Sequence, residues 1–437
     1  ALHLEFVGNA ISDVTPLAGL SKLARLFLTG NQISDCSPLA GLPQLSVLYL
    51  SSNRLTDVSS LASAANLKQV HLARNEIDRV DGLSALTSVA TLDLSYNRIS
   101  DVSGLAGITL SGPSAKIDLS HNLISDARSL VIAATAETEV SVNLAFNRIS
   151  SAAGLPGVPR MTAFDASHNG LSSLAGFPAE PSLVDLSLAG NAISDVSALA
   201  GATRLGTIDL SRNFISNAES LTTLPLLKEL DLSFNAVTDA SQFAAFSNLQ
   251  HLYLSNNFIT DISSLADAPN LHRLDVSHNQ IAAIGSMSAF SGMESLVLSG
   301  NSISDASGLS GLSLAGTQLA LLDLSFNQIS TLSSITSLSV ATGSSGSAVI
   351  DLSHNNISSS DGAEAFSVRG DTAILDLSHN QLGDVSNLSG VSIEGKLSSP
   401  LIDLSDNRIQ SVEPFRNWAF SGRLNLARNE IADASPL

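Results

Sequence analysis

One asparagine, returning at a near-constant interval, constrains this chain more than anything else in it. It stands at Asn9, Asn31, Asn53, Asn75, Asn97, Asn122, Asn147, Asn169, Asn191, Asn213, Asn235, Asn257, Asn279, Asn301, Asn327, Asn355, Asn380, Asn407 and Asn429, nineteen times in 437 residues. Twelve of the eighteen intervals are 22 residues and the other six run from 25 to 28. A short alternation precedes it, as in Leu26-Phe27-Leu28, and two residues after it always stands Ile, Leu or Val, from Ile11 to Ile431. Alternation over so few residues predicts a strand with one buried face, which the asparagine closes into a turn. A chain of such units is a coil whose turns bury their aliphatics against the turns before and after, so it lengthens along one axis without a single spherical core. The predicted fold is a repeat solenoid of about nineteen turns, mostly β with short 3₁₀ turns, in one domain over 1–437 with longer repeats at 98–147 and 302–407.

The asparagine amide has a physical task, to satisfy backbone groups exposed by the bend, so replacing an interior copy should cost more than a surface change. Between strands the chain returns through text such as SDCSPLAGL, too short for a long helix. Asp13, Asp35, Asp57, Asp101, Asp195, Asp239, Asp261 and Asp305 each stand four residues after an asparagine, where a carboxylate can cap a single 3₁₀ turn, and Pro16 and Pro38 suit such a turn. Cys36 is the only cysteine and occupies the place of Val58, Val80 and Val102, so it reads as a small core residue and permits no intramolecular disulfide.

Forty acidic residues against 21 Lys plus Arg give a net charge of −19, which argues against a nucleic-acid phosphate backbone as partner. No run of about 18 apolar residues suggests a membrane span. Both ends fall within a repeat, Ala1 eight residues before Asn9 and Leu437 eight after Asn429. End turns would then expose apolar edges that solenoids cap, and a fragment lacking flanking repeats or capping domains is expected.

The phrase NQISDCSPLAGL followed by LSVLYLSSN resembles the 22-residue leucine-rich repeats of the bacterial internalins, and the likeness covers nearly the whole chain. It implies a curved α/β-type solenoid with a parallel sheet on its concave side, the side that in internalins grips a host-cell receptor. Intracellular phosphatase-regulator and flagellar repeat proteins use similar turns. The chain departs from the family in showing no capping domain and in its six over-long repeats.

The residue between the two core positions of each strand points away from the core, to the concave face. Phe27, Tyr49 and His71 hold that place in three consecutive strands and should form a contiguous patch of the rigid aromatic kind found at interface hot spots, or else a ladder that merely stabilises its own sheet. Tyr253, with His251 beside it, is a second candidate. Asp holds the place in ten repeats: Asp93, Asp118, Asp165, Asp209, Asp231, Asp275, Asp323, Asp351, Asp376 and Asp403. At a strand spacing of about 4.8 Å, like charges repel by roughly 0.8 kcal/mol per pair even in water. A cation or a basic partner would relieve this; the plainer reading has each Asp solvated or bonded to a neighbouring Ser.

Five repeats read as Asp-x-Ser-His-Asn, among them Asp118, Ser120, His121 and Asp351, Ser353, His354. A hydrolytic triad needs the His between Ser and Asp together with an oxyanion site. Alternate strand positions predict Asp and Ser about 7 Å apart on an open sheet, and an active site is built once, not five times. His354 and His379, on adjacent turns, are too few for a zinc site.

The long repeats carry a shared phrase, LSLAG, LSVATG, FSVRG and VSIEG, with ITLSG earlier. Apolar residues at alternate positions before a glycine predict an extra strand, so Leu314, Val340, Val368 and Ile393 should stack as a second short parallel sheet. In the same repeats the outward residue before the first core position turns aliphatic, Leu321, Val349, Ile374 and Leu401, where other repeats carry Arg25, Gln69, Lys116, Glu229, His251 or Arg273. Such a patch calls for a cover, either a partner whose basic groups also meet Asp323, Asp351, Asp376 and Asp403, or the inserted loops themselves. Taken together, the residues predict a non-enzymatic scaffold, without cofactor or metal, that binds a protein or glycan on its concave face at a cell surface. The other reading is an intracellular or flagellar structural subunit of a large assembly.

Overall fold

A computed structural model describes residues 2–135, 137–178, 180–268, 270–290, 292–343, 346–395, 400–416, 418 and 420–435. Ala1 and Leu437, the end positions considered above, lie outside the described residues. The chain forms two compact units, Ala1–Phe214 and Ile215–Leu437. Each is a stack of coils with one main-sheet strand per repeat.

Among the described residues of the first unit ten parallel strands run from Leu2–Glu5 and Leu23–Phe27 through Val47–Tyr49 to Thr207–Asp209. In the second, nine run from Glu229–Asp231 to Arg423–Asn425. Register is strict: Leu26 pairs with Leu48, Leu48 with Val70 and Val70 with Leu92, all without solvent exposure. A one-residue slip would bring these aliphatics to the open face, so the hydrophobic alternation alone fixes the pairing. Cys36 lies in the core as expected, its Sγ 3.6 Å from the Ser60 hydroxyl, and burial pushes its thiol up from the ordinary value.

The asparagines tie coil to coil. Asn53 Nδ2 donates to the carbonyl of Leu50 in its own turn (2.9 Å) and to that of Leu28 in the preceding coil (3.0 Å), while its Oδ1 accepts the Ile33 N–H (3.0 Å). Asn97, Asn213, Asn301 and Asn380 repeat the pattern. One amide thus satisfies buried carbonyls and an N–H that the bend leaves without strand partners.

The return side is built in two ways. In most 22-residue repeats it is a 3₁₀ turn alone, such as Ser37–Leu39 or Ser59–Ser63, whereas long repeats such as those holding Ser307–Leu309 and Ala363–Ala365 follow the turn with a strand. The expected carboxylate caps its entry: Asp35 Oδ1 accepts the Ser37 N–H at 2.7 Å, and Asp57 and Asp239 do the same for Ser59 and Ser241. In the long repeats of the second unit the predicted second sheet is present, with strands Leu312–Gly316, Leu338–Thr342, Phe366–Gly370 and Ser392–Gly395. Leu314 pairs with Val340, Val340 with Val368 and Val368 with Ile393. In the first unit, Ile108–Leu110 pairs with Ile132–Ala134, a partner that the sequence pattern had not singled out.

Candidate functional site

The open face of the main sheet carries the candidate residues, and in the first unit it brings three of them together. Phe27, Tyr49 and His71 are mutually in register, with ring centroids 4.7 and 4.0 Å apart and nearly parallel planes. Two groups extend the row, His3, which the sequence reading missed, and Asp93, one of the ten outward carboxylates. The His3 ring lies 4.9 Å from Phe27, and His71 Nδ1 lies 3.8 Å from a carboxylate oxygen of Asp93. Burial pushes the Asp93 carboxyl up, but the His71 ring and the Ser95 hydroxyl and N–H outweigh it and hold the group below the usual carboxylate range. All three predicted side chains are half-buried, each leaning on the next.

His251 and Tyr253 share one strand in the second unit and stand in a charged setting, with His251 Nδ1 3.4 Å from Glu229 and Tyr253 paired in register with Asp231 and Asp275. Burial, then the Glu229 charge, pushes the Tyr253 phenol up.

Further along the second unit the aliphatic column is as expected: Leu321 pairs with Val349, Val349 with Ile374 and Ile374 with Leu401. The described strand residues of the inserted segments lie on the other side of the coil: Leu312, Leu314, Val340 and Val368 turn into the core, and Ala315 N–H bonds the Met293 carbonyl on the return side of the preceding repeat. Residues 344–345 and 396–399 of those segments lie outside the described residues.

Every Asp of the ten accepts, through Oδ1, the N–H of the Ser two residues on, at 2.8 to 3.1 Å. The carboxylate closes the end of its own strand, a local bond that Asn143 and Asn425 reproduce with their amide oxygens. The expected 7 Å separation of Asp and Ser was wrong, since the side chain bends along the strand and Ser120 Oγ donates to Asp118 at 2.7 Å.

The histidines of the Asp-x-Ser-His-Asn repeats point elsewhere. The residue before each turn asparagine adopts left-handed backbone geometry, φ 54° at both His121 and His354, which throws its side chain sideways against the next coil. Tyr96, His121, Phe146 and His168 stack in one row at 3.9 to 4.2 Å, with the Arg74 guanidinium over the Tyr96 ring. Phe326, His354 and His379 form another at 4.1 Å. A side chain at Gly190 would meet His168 Nδ1 at 2.6 Å, so the first row stops there. Stacked histidines turn ring faces to each other and cannot converge on one ion, and among the described residues no group of three metal-ligating side chains occurs. Lining up the residue before each asparagine would have revealed these rows, because Tyr, Phe and His concentrate there.

The first unit also has a hollow of about 310 Å³ on the sheet face, floored by small Ser141 and Ala163 and rimmed by Lys116, Asn143, Asp165, Asp185 and Asp209. No helix is long and apolar enough to cross a membrane among the described residues.

Leucine-rich repeat family models match residues 43–99 and 225–281, a two-copy model matches 21–63, and a further one matches 374–386. Among solved structures, an internalin from Listeria monocytogenes is 27% identical, the match covering 67% of this chain and 85% of that one with a TM-score of 0.55. The chain carries leucine-rich repeats and is like the internalins in fold. Two other structures share the fold of this leucine-rich repeat protein at 19% identity. A Leptospira interrogans LRR protein covers 71% of this chain and 88% of its own at a TM-score of 0.54. The functional domain of InlJ from Listeria monocytogenes, which includes a cysteine ladder, covers 72% and 74% at 0.52. No curated protein matches this internalin-like sequence. The leucine-rich repeat fold is that of a protein-binding scaffold, and the family models that match describe the repeat alone.

Proposed function

We propose that this chain is a non-enzymatic recognition module that binds a protein ligand on the open face of its parallel sheet, as an adhesin or receptor at a cell surface. The observation that carries the reading is the row His3, Phe27, Tyr49 and His71, stacked on a sheet face over which the described residues lay no helix or second layer. Parallel sheets are ordinarily covered on both faces. A parallel sheet that leaves one face open, with aromatic groups already ordered on it, loses little side-chain entropy when a partner arrives. The likeness to an internalin supports the surface location.

The test is capture of a partner by the intact chain, identified by mass spectrometry and repeated with Phe27→Ala/Tyr49→Ala. A partner retained by the parent and lost by the variant, with the variant still folded and melting cooperatively, supports the reading. Undiminished binding by the variant rejects it. Tagged full-length protein inside the cell would reject the surface location.

A further inference from the structure

Asp165, Asp209 and Asp275 bond the Ser that follows them and face no described cation, and three further carboxylates of that kind stand side by side on consecutive strands of the second unit. In the first unit Asp93 has His71, and Asp118 has Lys116 at 3.7 Å and the Asn143 amide at 3.3 Å. Asp403 receives the Asn425 amide on both oxygens at 3.0 and 2.9 Å. Asp323, Asp351 and Asp376 are in register with one another, and their bonds run only to the Ser that follows each, so no described cation answers them. Burial pushes the Asp351 carboxyl up, the Ser353 bonds offset part of this, and the charges of Asp376 and Asp323 add to it. Directly beside this column, two residues earlier in the same strands, run Leu321, Val349 and Ile374, continued by Leu401.

From this pairing of columns we infer that the sheet face at Leu321–Asp403 docks an amphipathic α-helix of a partner protein, lying across the strands with leucine-like residues on the aliphatic column and lysine or arginine on the carboxylates. The inference rests on the sheet-face reading above and names the partner's chemistry. Spacing selects a helix over an extended segment. Strands about 4.8 Å apart place four rows at about 0, 4.8, 9.6 and 14.4 Å. Helix residues i, i+3, i+7 and i+10 fall at about 0, 4.5, 10.5 and 15 Å on one face, within about 1 Å of each row. Same-face residues of an extended segment come every 6.8 Å or so and drift out of step by the second row. Residues i+4, i+8 and i+11 lie on one flank of that helix, where long basic side chains reach the second column.

The probe is a synthetic, end-capped, alanine-based helix with Leu at i, i+3, i+7 and i+10 and Lys at i+4, i+8 and i+11, titrated against the whole chain by fluorescence anisotropy. Micromolar binding is expected, at least tenfold tighter than the same peptide with Glu for Lys or Ala for Leu. Asp323→Asn/Asp351→Asn/Asp376→Asn should weaken it at least tenfold, because Asn keeps the bond to Ser and removes only charge. Asp165→Asn/Asp209→Asn/Asp275→Asn makes the same change in net charge and should alter binding less than twofold. Val349→Ser/Ile374→Ser should weaken it with the carboxylates intact. Equal losses in the two Asp-to-Asn triples, equal binding of the leucine-free peptide, or no binding would overturn the proposal. A captured protein that depends on Phe27 and Tyr49 but tolerates the 323/351/376 triple would leave the sheet-face reading standing and reject the helix.

Discussion

The 22-residue repeats and the longer ones of the second unit use the same asparagine turn and the same main strand, yet return to the next coil differently. Around Asn53 the return is a capped 3₁₀ turn whose bonds are local, such as Leu61 N–H to the Val58 carbonyl. Around Asn355 a 3₁₀ turn, Ala363–Ala365, runs on into the strand Phe366–Gly370, and the main strands lengthen from three residues to five with Ala320, Ala348 and Ala373 buried. The extra three to six residues thus add to the local bonds a second ladder running between coils. In the first kind neighbouring coils are joined on one side by a sheet; in the second, on both.

The largest test of this contrast is the asparagine itself. Asn75→Ala removes bonds to the Leu50 and Leu72 carbonyls and to the Leu55 N–H, and leaving those buried groups unpaired should cost about 3 to 5 kcal/mol in urea unfolding. Asn355→Ala removes as many bonds. Because its coil keeps the second sheet, hydrogen exchange should show opening confined to its own turn, whereas Asn75→Ala should expose the neighbouring coils. Equal spreading in both would break the contrast.

Proline gives the next largest difference. Ser339→Pro places an imide inside an interior strand of the second sheet and should destabilise by about 3 kcal/mol. Ser60→Pro puts the same residue where a neighbouring repeat already carries Pro38 and should change stability by less than about 1 kcal/mol. Thermal melting of the two variants checks the pair.

Acid should separate the regions in sign. The Asp239 carboxyl, in a 22-residue repeat, is held below its ordinary value by the Ser241 hydroxyl and N–H. Its contribution is present above the unfolded pKa of about 3.9 and is lost as pH falls through the folded one. Asp239→Ala should therefore lower the melting temperature at neutral pH and have no effect in strong acid. The Asp351 carboxyl is raised, so its charged form weakens the fold above that folded value and the penalty disappears as pH falls toward the unfolded one. Asp351→Asn should raise the melting temperature at neutral pH and be neutral in acid. A fall at neutral pH would mean that the charge itself stabilises the column. The smallest expected effect is that of a chelator, which should leave melting unchanged; a downward shift would place a bound cation along the carboxylates.

The coil, the asparagine ladder and the second sheet were legible in the sequence because each follows from a period: 22 for the turn, two for the strand. Stacking of Phe27 on Tyr49 was legible for the same reason, since strand alternation fixes which way a side chain points. The rows through His121 and His354 were not, because a left-handed residue breaks the alternation and its direction comes from the bend. The Ser120 hydroxyl on Asp118 was misjudged because backbone spacing sets where Cβ atoms lie and says nothing of a carboxylate that bends along its own strand.

The asparagine bonds all face one way. Asn53 completes the coil holding Leu28 and Ile33, and Asn75 that of Leu50 and Leu55, serving residues made 20 to 25 positions earlier, and Asn355 reaches 26 and 31 positions back. On a ribosome, then, a nascent coil stays unlatched until roughly one further repeat has emerged. Its folding would trail synthesis by about one repeat, longest where the repeats are longest, and a stalled chain would present one open coil at the tunnel mouth.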